Sequence, residues 1–376
     1  MTNKLFWLLG FMAIWSPFSV RSQNLSMYVS DAGNFDLPPW QILKFDANGE
    51  NGEVFITDHL AWPQDILFLE PDNVVLISNL NTGEILRFDA STGTYIDQFA
   101  TGIGGPTRMK IGTDGLLYVL QWSGNGKVWR YRTDGTFVDQ FTSVGVSASI
   151  GLDWDKQGNL YVSSYDERYV RKFSPTGADL GKFISSNLAG PTNIWFDEEG
   201  DLLVNDYNAG SVKRWDNNGS FKGVFISNVP QCEGVGFLPD GNLLLGIGGT
   251  SSVGSYNSAG ELVNTIIPSG SLGLLTPNAV VLRQDPISSG IGSPPMFKNR
   301  NILTPGTGVV FQISTDLMDT KDPFAEVTNT SGVVVAKIQI KDSVSWDASD
   351  LSNGIYFITL ALRDQSIARQ KIVVQR

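Results

Sequence analysis

A unit of about 42 residues recurs through the first three quarters of this chain, and each copy holds four strand-like runs. It is clearest in Pro191-Thr-Asn-Ile-Trp-Phe-Asp-Glu-Glu-Gly200, followed by Asp201-Leu-Leu-Val-Asn-Asp206, Ser211-Val-Lys-Arg-Trp-Asp216 and Ser220-Phe-Lys-Gly-Val-Phe225. The turn position between the first two runs falls at Asn73, Gly115, Gly158, Gly200 and Gly241, in steps of 42, 43, 42 and 41 residues. An aromatic residue recurs in the third run at Phe45, Phe88, Tyr131, Phe173, Trp215 and Tyr256, so six copies are implied. Short strands in fours at this period predict a β-propeller, in which blades that cannot bury their faces alone stack around a central axis.

The runs alternate apolar and polar residues, as in Leu116-Leu-Tyr-Val-Leu120 and Leu160-Tyr-Val-Ser163, which is the period of a half-buried strand. Asp114-Gly115, Asp134-Gly135, Asn218-Gly219 and Asp240-Gly241 supply the positive φ angles of hairpin turns. Helical periodicity is absent from the repeats. The array ends with a single inner strand, Pro277 to Arg283, while Met27–Ser30, Ile42–Phe45 and Glu53–Ile56 offer three strands at its start. One blade is therefore expected to draw on both ends, closing the ring and leaving no open edge.

The expected organisation is a cleaved signal peptide over 1–22, the propeller over 23–283, a linker over 284–300 and a small β-sandwich over 301–376. The leader is Lys4 followed by the apolar run Leu5 to Trp15, with Val20 and Ser22 as small residues before the cut. That run is too short for a membrane span, and no other segment is long and apolar enough for one, so no transmembrane anchor is expected. The linker is rich in Pro, Gly and Ser. Cys232 is the only cysteine, which excludes an intramolecular disulfide. A net charge of -11 argues against a nucleic-acid surface, because phosphate neutralisation needs clustered Lys and Arg. His59 is the only histidine, so multi-histidine metal centres are excluded and any His-dependent catalytic device would need that residue. A monomer is expected.

Two resemblances follow. Asn329-Thr-Ser-Gly-Val-Val-Val335, Trp346-Asp-Ala-Ser-Asp-Leu-Ser-Asn-Gly-Ile-Tyr-Phe357 and Arg369-Gln-Lys-Ile-Val-Val374 resemble the C-terminal sorting domain of the type IX secretion system of Bacteroidota. That likeness implies delivery across both membranes, with residues 301–376 engaging the secretion machinery. The inner-strand openings at Pro63, Pro106, Pro191 and Pro277, the step Asp114 to Val119, and third runs such as Val212-Lys-Arg-Trp215 resemble the six-bladed propellers of the NHL-repeat and gluconolactonase-like group.

The long loops between second and third strands, and between blades, should share one face, where function belongs. The residue after the start of each inner strand should line its funnel: Gln64, Thr107, Ile150, Thr192, Glu233 and Asn278. In gluconolactonase-like enzymes these positions hold a divalent cation, and the resemblance implies a Ca²⁺-type site at Glu233, Asn278 and Gln64, with Glu233 as the candidate catalytic base. Asp65, Arg108 and Asn193 stand one position further along. The loops add Asn79, Asn81, Trp122, Tyr165, Asp206 and Tyr207, aromatic area beside amides and acids that suits a sugar ring or a peptide. Gln64, Asp65, Arg108, Trp122, Tyr165, Asn193, Asp206 and Tyr207 are thus the expected ligand contacts. Two functions stay open: an exported binding module for a glycan or protein ligand, and a metal-dependent hydrolase or lactonase.

Overall fold

The computed structural model describes residues 25–285, 310–313, 324–329, 333–339, 344–362 and 365–374. The expected leader lies outside them, as does most of the expected linker. The chain divides into two compact units, 1–287 and 288–376.

The described part of the first unit is a six-bladed β-propeller of six four-stranded antiparallel sheets. Its only helical elements are three single turns of 3₁₀ helix, such as Glu70–Asp72. The innermost strands are Pro63–Leu69, Pro106–Ile111, Ser149–Trp154, Pro191–Phe196, Cys232–Phe237 and Pro277–Gln284. Each packs against the next and the last packs against the first, so the ring is closed. Closure is made as the ends of the array foretell: Pro277–Gln284 pairs with Leu25–Asp31, which leads outward through Gln41–Asp46 to Glu53–Ile56.

Burial explains the strand pattern. Six apolar clusters lie between successive blades, for example Tyr161, Val170 and Ile184 of one blade against Ile194, Leu202, Val204 and Trp215 of the next. All six third-run aromatics are buried there. The second strands depart from the half-buried expectation: Leu117–Gln121, Leu160–Ser164 and Leu202–Asp206 are buried along their whole length. Both faces of such a strand are covered by neighbouring blades, so its polar residues face protein and must find partners there. The outermost strands keep an exposed side, as in Phe221–Ser227.

The turns are more specific than an Asp-Gly pair. In Asp155 to Asn159, Gly158 (φ 80°) donates to the Asp155 carbonyl at 2.9 Å, and Asp155 Oδ1 accepts from the amides of Gln157 and Asn159 at 3.0 and 2.8 Å. Asp46, Asp216 and Asn257 cap their turns in the same way. The glycine alone takes the left-handed conformation, and the acid or amide three residues earlier satisfies the amides the turn leaves free.

The second unit holds a four-stranded sheet, ordered Val334–Gln339, Phe324–Asn329, Gly354–Leu362 and Gln365–Val374, and a pair formed by Val310–Ile313 and Val344–Asp347. Ala325, Val327, Ile338, Tyr356, Ile358, Ile372 and Val374 form its core, and Trp346 packs against them from the smaller sheet. Two sheets packed on one core fit the small β-sandwich expected over these residues.

Candidate functional site

Each of the five uninterrupted blades breaks register at the start of its inner strand: Pro63/Asp65, Pro106/Met109, Ser149/Leu152, Pro191/Ile194 and Cys232/Val235. A bulge re-aims the residues it frees, and here these are the positions expected to face the funnel. A glycine belongs to the same device. At Gly151 a Cβ would lie 2.3 Å from the Thr192 carbonyl, so adjacent inner strands can approach this closely only without one.

The bulges bring together a buried charge group from three blades. Arg108 reaches Asp65 at 3.3 Å through Nη1 and Glu233 at 3.1 Å through Nη2, and it also donates to the carbonyls of Gln64 and Asn278. Asp65 Oδ2 accepts from the Met109 amide at 2.7 Å. The Gln64 amide, oriented by its neighbours, donates to Glu233 Oε1 at 3.0 Å and accepts from Asn278 Nδ2 at 2.8 Å and Trp62 Nε1 at 2.6 Å. Two carboxylates thus share one guanidinium. Burial pushes Glu233 up to about 7 from an ordinary value of 4.5, against the pull of Arg108 and with a further push from Asp65. Asp65 is raised too, again chiefly by burial.

Above this group is a pocket of about 430 Å³, within the range of roughly 300 to 1,000 Å³ usual for small-ligand sites. Phe35, Trp62, Trp122, Tyr165 and Tyr207 line it, together with Gln64, Ile150, Thr192, Asn208 and Glu233. The rings form two walls. Trp122 and Tyr165 lie 5.6 Å apart between centroids, Tyr165 and Tyr207 6.1 Å, and on the other side Phe35 and Trp62 5.1 Å. Trp62 and Gln231 enter from the residue just before an inner strand, both at positive φ (53° and 56°). Such non-glycine residues cost about 1 kcal/mol or more each and gather at functional edges.

Gln64, Glu233, Trp122, Tyr165 and Tyr207 therefore converge on one pocket, and Asp65 and Arg108 lie buried beside Glu233. Asn193 and Asp206 do not line it. The Asp206 carboxylate accepts from the amides of Ala189 and Gly190 and pairs with Lys213 at 2.7 Å. Asp206 belongs to a series: Asp31, Asn79, Gln121 and Ser164, each ending a second strand, bond the backbone of the incoming blade-to-blade loop. These polar residues are staples between blades. Thr107 and Thr192 likewise spend their hydroxyls on the carbonyls of Ser149 and Cys232 in the following blades. His59 stacks on Tyr95, with ring centroids 4.0 Å apart, and does not line the pocket. Phe35, Trp62 and Asn208 were not anticipated. The first two sit in irregular loops with no repeat signature, and only their aromatic character marked them.

A resident Ca²⁺ at Glu233, Asn278 and Gln64 fits poorly. The Arg108 guanidinium already meets the Glu233 carboxylate, and the Gln64 amide is committed. Glu233 Oε2 and the partnerless Asn278 Oδ1 remain, against the six to eight oxygens such a cation takes. Elsewhere, Asp197, Glu199 and Asp201 bring carboxylate oxygens within 4.8 Å of one another, but Arg214 pairs with all three at 2.6 to 2.7 Å.

Fold and site together define a six-bladed propeller whose long-loop face opens into an aromatic-walled pocket over a buried acid. Residues 305–375 match the family model of the secretion system C-terminal sorting domain. The chain is thus a type IX secretion cargo, exported across the outer membrane to the surface or the medium. No helix among the described residues is long and apolar enough to cross a membrane. Among solved structures, a chain of a nidogen/laminin complex is similar at a TM-score of 0.57 and 15% identity, covering 69% of this chain and 98% of that one. A protein of unknown function from Bacteroides caccae is similar at a TM-score of 0.57 and 14% identity, covering 70% of this chain and 100% of that one. At such identity the likeness establishes the fold alone. A sequence search of curated proteins finds no match.

Proposed function

We propose that this protein is an exported binding module that holds a glycan or protein ligand in the aromatic pocket of its propeller, of the NHL-repeat kind. The carrying observation is the convergence of Trp122, Tyr165 and Tyr207, from equivalent loops of three successive blades, with Phe35 and Trp62 on one pocket. Aromatic faces give area and rigidity at little entropic cost, which is how carbohydrate and peptide anchors are commonly held. The complex of nidogen with laminin, in which a similar chain takes part, is in keeping with a propeller used for binding. On this reading, residues 301–376 serve delivery and the propeller works as a monomer after export.

The second reading, a hydrolase or lactonase using Glu233, has one observation in its favour: a carboxyl pushed up to about 7 at a pocket wall is suited to proton transfer near neutrality. Two measurements on the purified chain separate the readings. An unbiased glycan and peptide array should return a defined ligand class, while metal content and a lactone and ester hydrolysis screen should be negative. Stoichiometric metal with turnover lost in Glu233→Gln, and an empty array, would replace the binding module by the hydrolase.

A further inference from the structure

The polar atoms of the pocket narrow the class of ligand, an inference that rests on the binding reading above. Most are already spent. Trp62 Nε1 and both ends of the Gln64 amide are engaged with each other, Glu233 and Asn278. The Thr192 hydroxyl donates to the Cys232 carbonyl, the Tyr165 hydroxyl donates to Asn208 Oδ1 at 3.0 Å, and Asn208 Nδ2 donates to the Ala189 carbonyl. Glu233 is different. Its Oε1 takes Arg108 and Gln64, whereas Oε2 has no hydrogen-bond partner among the described residues, in a side chain 7% exposed. The Tyr207 hydroxyl, the Gln231 amide and the Trp122 indole N–H are the other side-chain groups of the lining with no hydrogen bond among the described residues.

A neutral sugar ring presents hydroxyls that both donate and accept, and it needs both kinds of partner in return. This pocket offers more ring faces than uncommitted side-chain polar groups, five against four, and one of the four is a carboxylate oxygen. Its charge is also unbalanced, because Asp65 and Glu233 face the single guanidinium of Arg108. Ring faces attract cations through their quadrupole, most strongly where water is excluded. We propose that the pocket takes an ammonium group, primary or methylated, seated among the aromatic rings with its charge on Glu233 Oε2.

The proposal has a proton signature. The groups around Glu233 are Arg108, Asp65, Tyr207 and Cys232. Burial keeps the tyrosine and the thiol neutral through the working range, the thiol being pushed up to about 12. Burial raises both acids, Asp65 and Glu233, the latter to about 7, and a bound cation favours the ionised form. Binding should expel part of a proton at pH 7, and affinity should rise with pH. A neutral guest accepting a hydrogen bond from the protonated acid would show the opposite trend.

The test is calorimetric titration of the full chain with matched pairs whose charged member keeps its charge throughout: choline against its neutral carbon isostere 3,3-dimethyl-1-butanol, and n-butylammonium against 1-butanol, at pH 6, 7 and 8 in two buffers of different ionisation enthalpy. The expected result is that the cationic member of at least one pair binds ten-fold or more tighter, gains affinity from pH 6 to 8, and releases protons. Choline reads the methylated group and n-butylammonium the primary one. Glu233→Gln, which keeps shape and removes charge, should erase the preference, and Trp122→Ala should weaken it ten-fold or more. Equal or tighter binding of the neutral members, affinity that rises as pH falls, or no binding of either cation overturns the inference. If an array ligand is nevertheless lost in Trp122→Ala, the binding reading stands without it; if that ligand is untouched by the aromatic substitutions, both fall.

Discussion

Arg108 is the residue on which the funnel depends most. Its guanidinium joins Asp65 and Glu233, and all three side chains are at most 7% exposed. Removing one partner of a buried ion pair typically costs about 3 to 5 kcal/mol, because the charge left behind has no solvent. Arg108→Met should lower stability by about that much at pH 8 and by less at pH 5, where the two acids can take up protons; urea denaturation at both pH values measures it. Glu233 gives a second, independent expectation. Its folded-state value, pushed up to about 7, lies above the unfolded value near 4.5, so the folded form binds the proton more tightly. The stability this contributes is complete below the unfolded value and is lost as pH rises through the folded one. The urea midpoint should therefore fall between pH 5 and 8, and Glu233→Gln should flatten that slope. A wild-type midpoint that rises over this range would contradict the burial argument.

At the scale of the element, the turns and the closing blade carry separate consequences. Asp155 accepts from two backbone amides, from the Asn159 side chain and from Tyr161 Oη. Asp155→Ala should cost about 1 to 2 kcal/mol, read as a lower melting temperature with an unchanged fold by circular dichroism. Deleting residues 27–56 should be far worse, since it strips three strands from a blade and leaves Pro277–Gln284 as an open edge; size-exclusion chromatography should show aggregate in place of the wild-type peak. These features differ in how plainly the chain announces them. The blades are legible because the copies repeat the same demands: a glycine at four of the five turns, an aromatic in all six third strands, a proline at the start of four of the six inner strands. Trp122, Tyr165 and Tyr207 share that legibility, since they sit at equivalent loop positions. Asp206 misled for the same reason. A polar residue at a strand end looks available in one dimension, and only the packing of the next blade's loop onto it reveals a staple. Glu233 was visible as an acid at the funnel and Arg108 as a polar residue near it, but their pairing was not, because the two lie 125 residues apart and no local spacing joins them. Phe35 and Trp62 reach the pocket from loops whose course no repeat dictates.

On the proposed reading, the whole molecule separates delivery from recognition. The sorting domain has its own core, centred on Val327, Ile358 and Ile372, and the propeller closes on itself through Leu25–Asp31 and Pro277–Gln284. Deleting residues 301–376 should leave a folded propeller confined to the periplasm of the native host, as read by fractionation and immunoblot; undiminished delivery to the surface or medium would count against the role of this domain. The recognition half of the account rests on the aromatic walls. Its most direct measurement is the affinity of a ligand found by array for the wild-type chain and for the double variant Trp122→Ala, Tyr207→Ala. Each ring is expected to contribute about 1 to 3 kcal/mol as an anchor, so the double variant should bind at least thirty-fold more weakly, with its melting transition still cooperative. Unchanged affinity in that folded variant would contradict the claim that this face of the propeller is where the protein works.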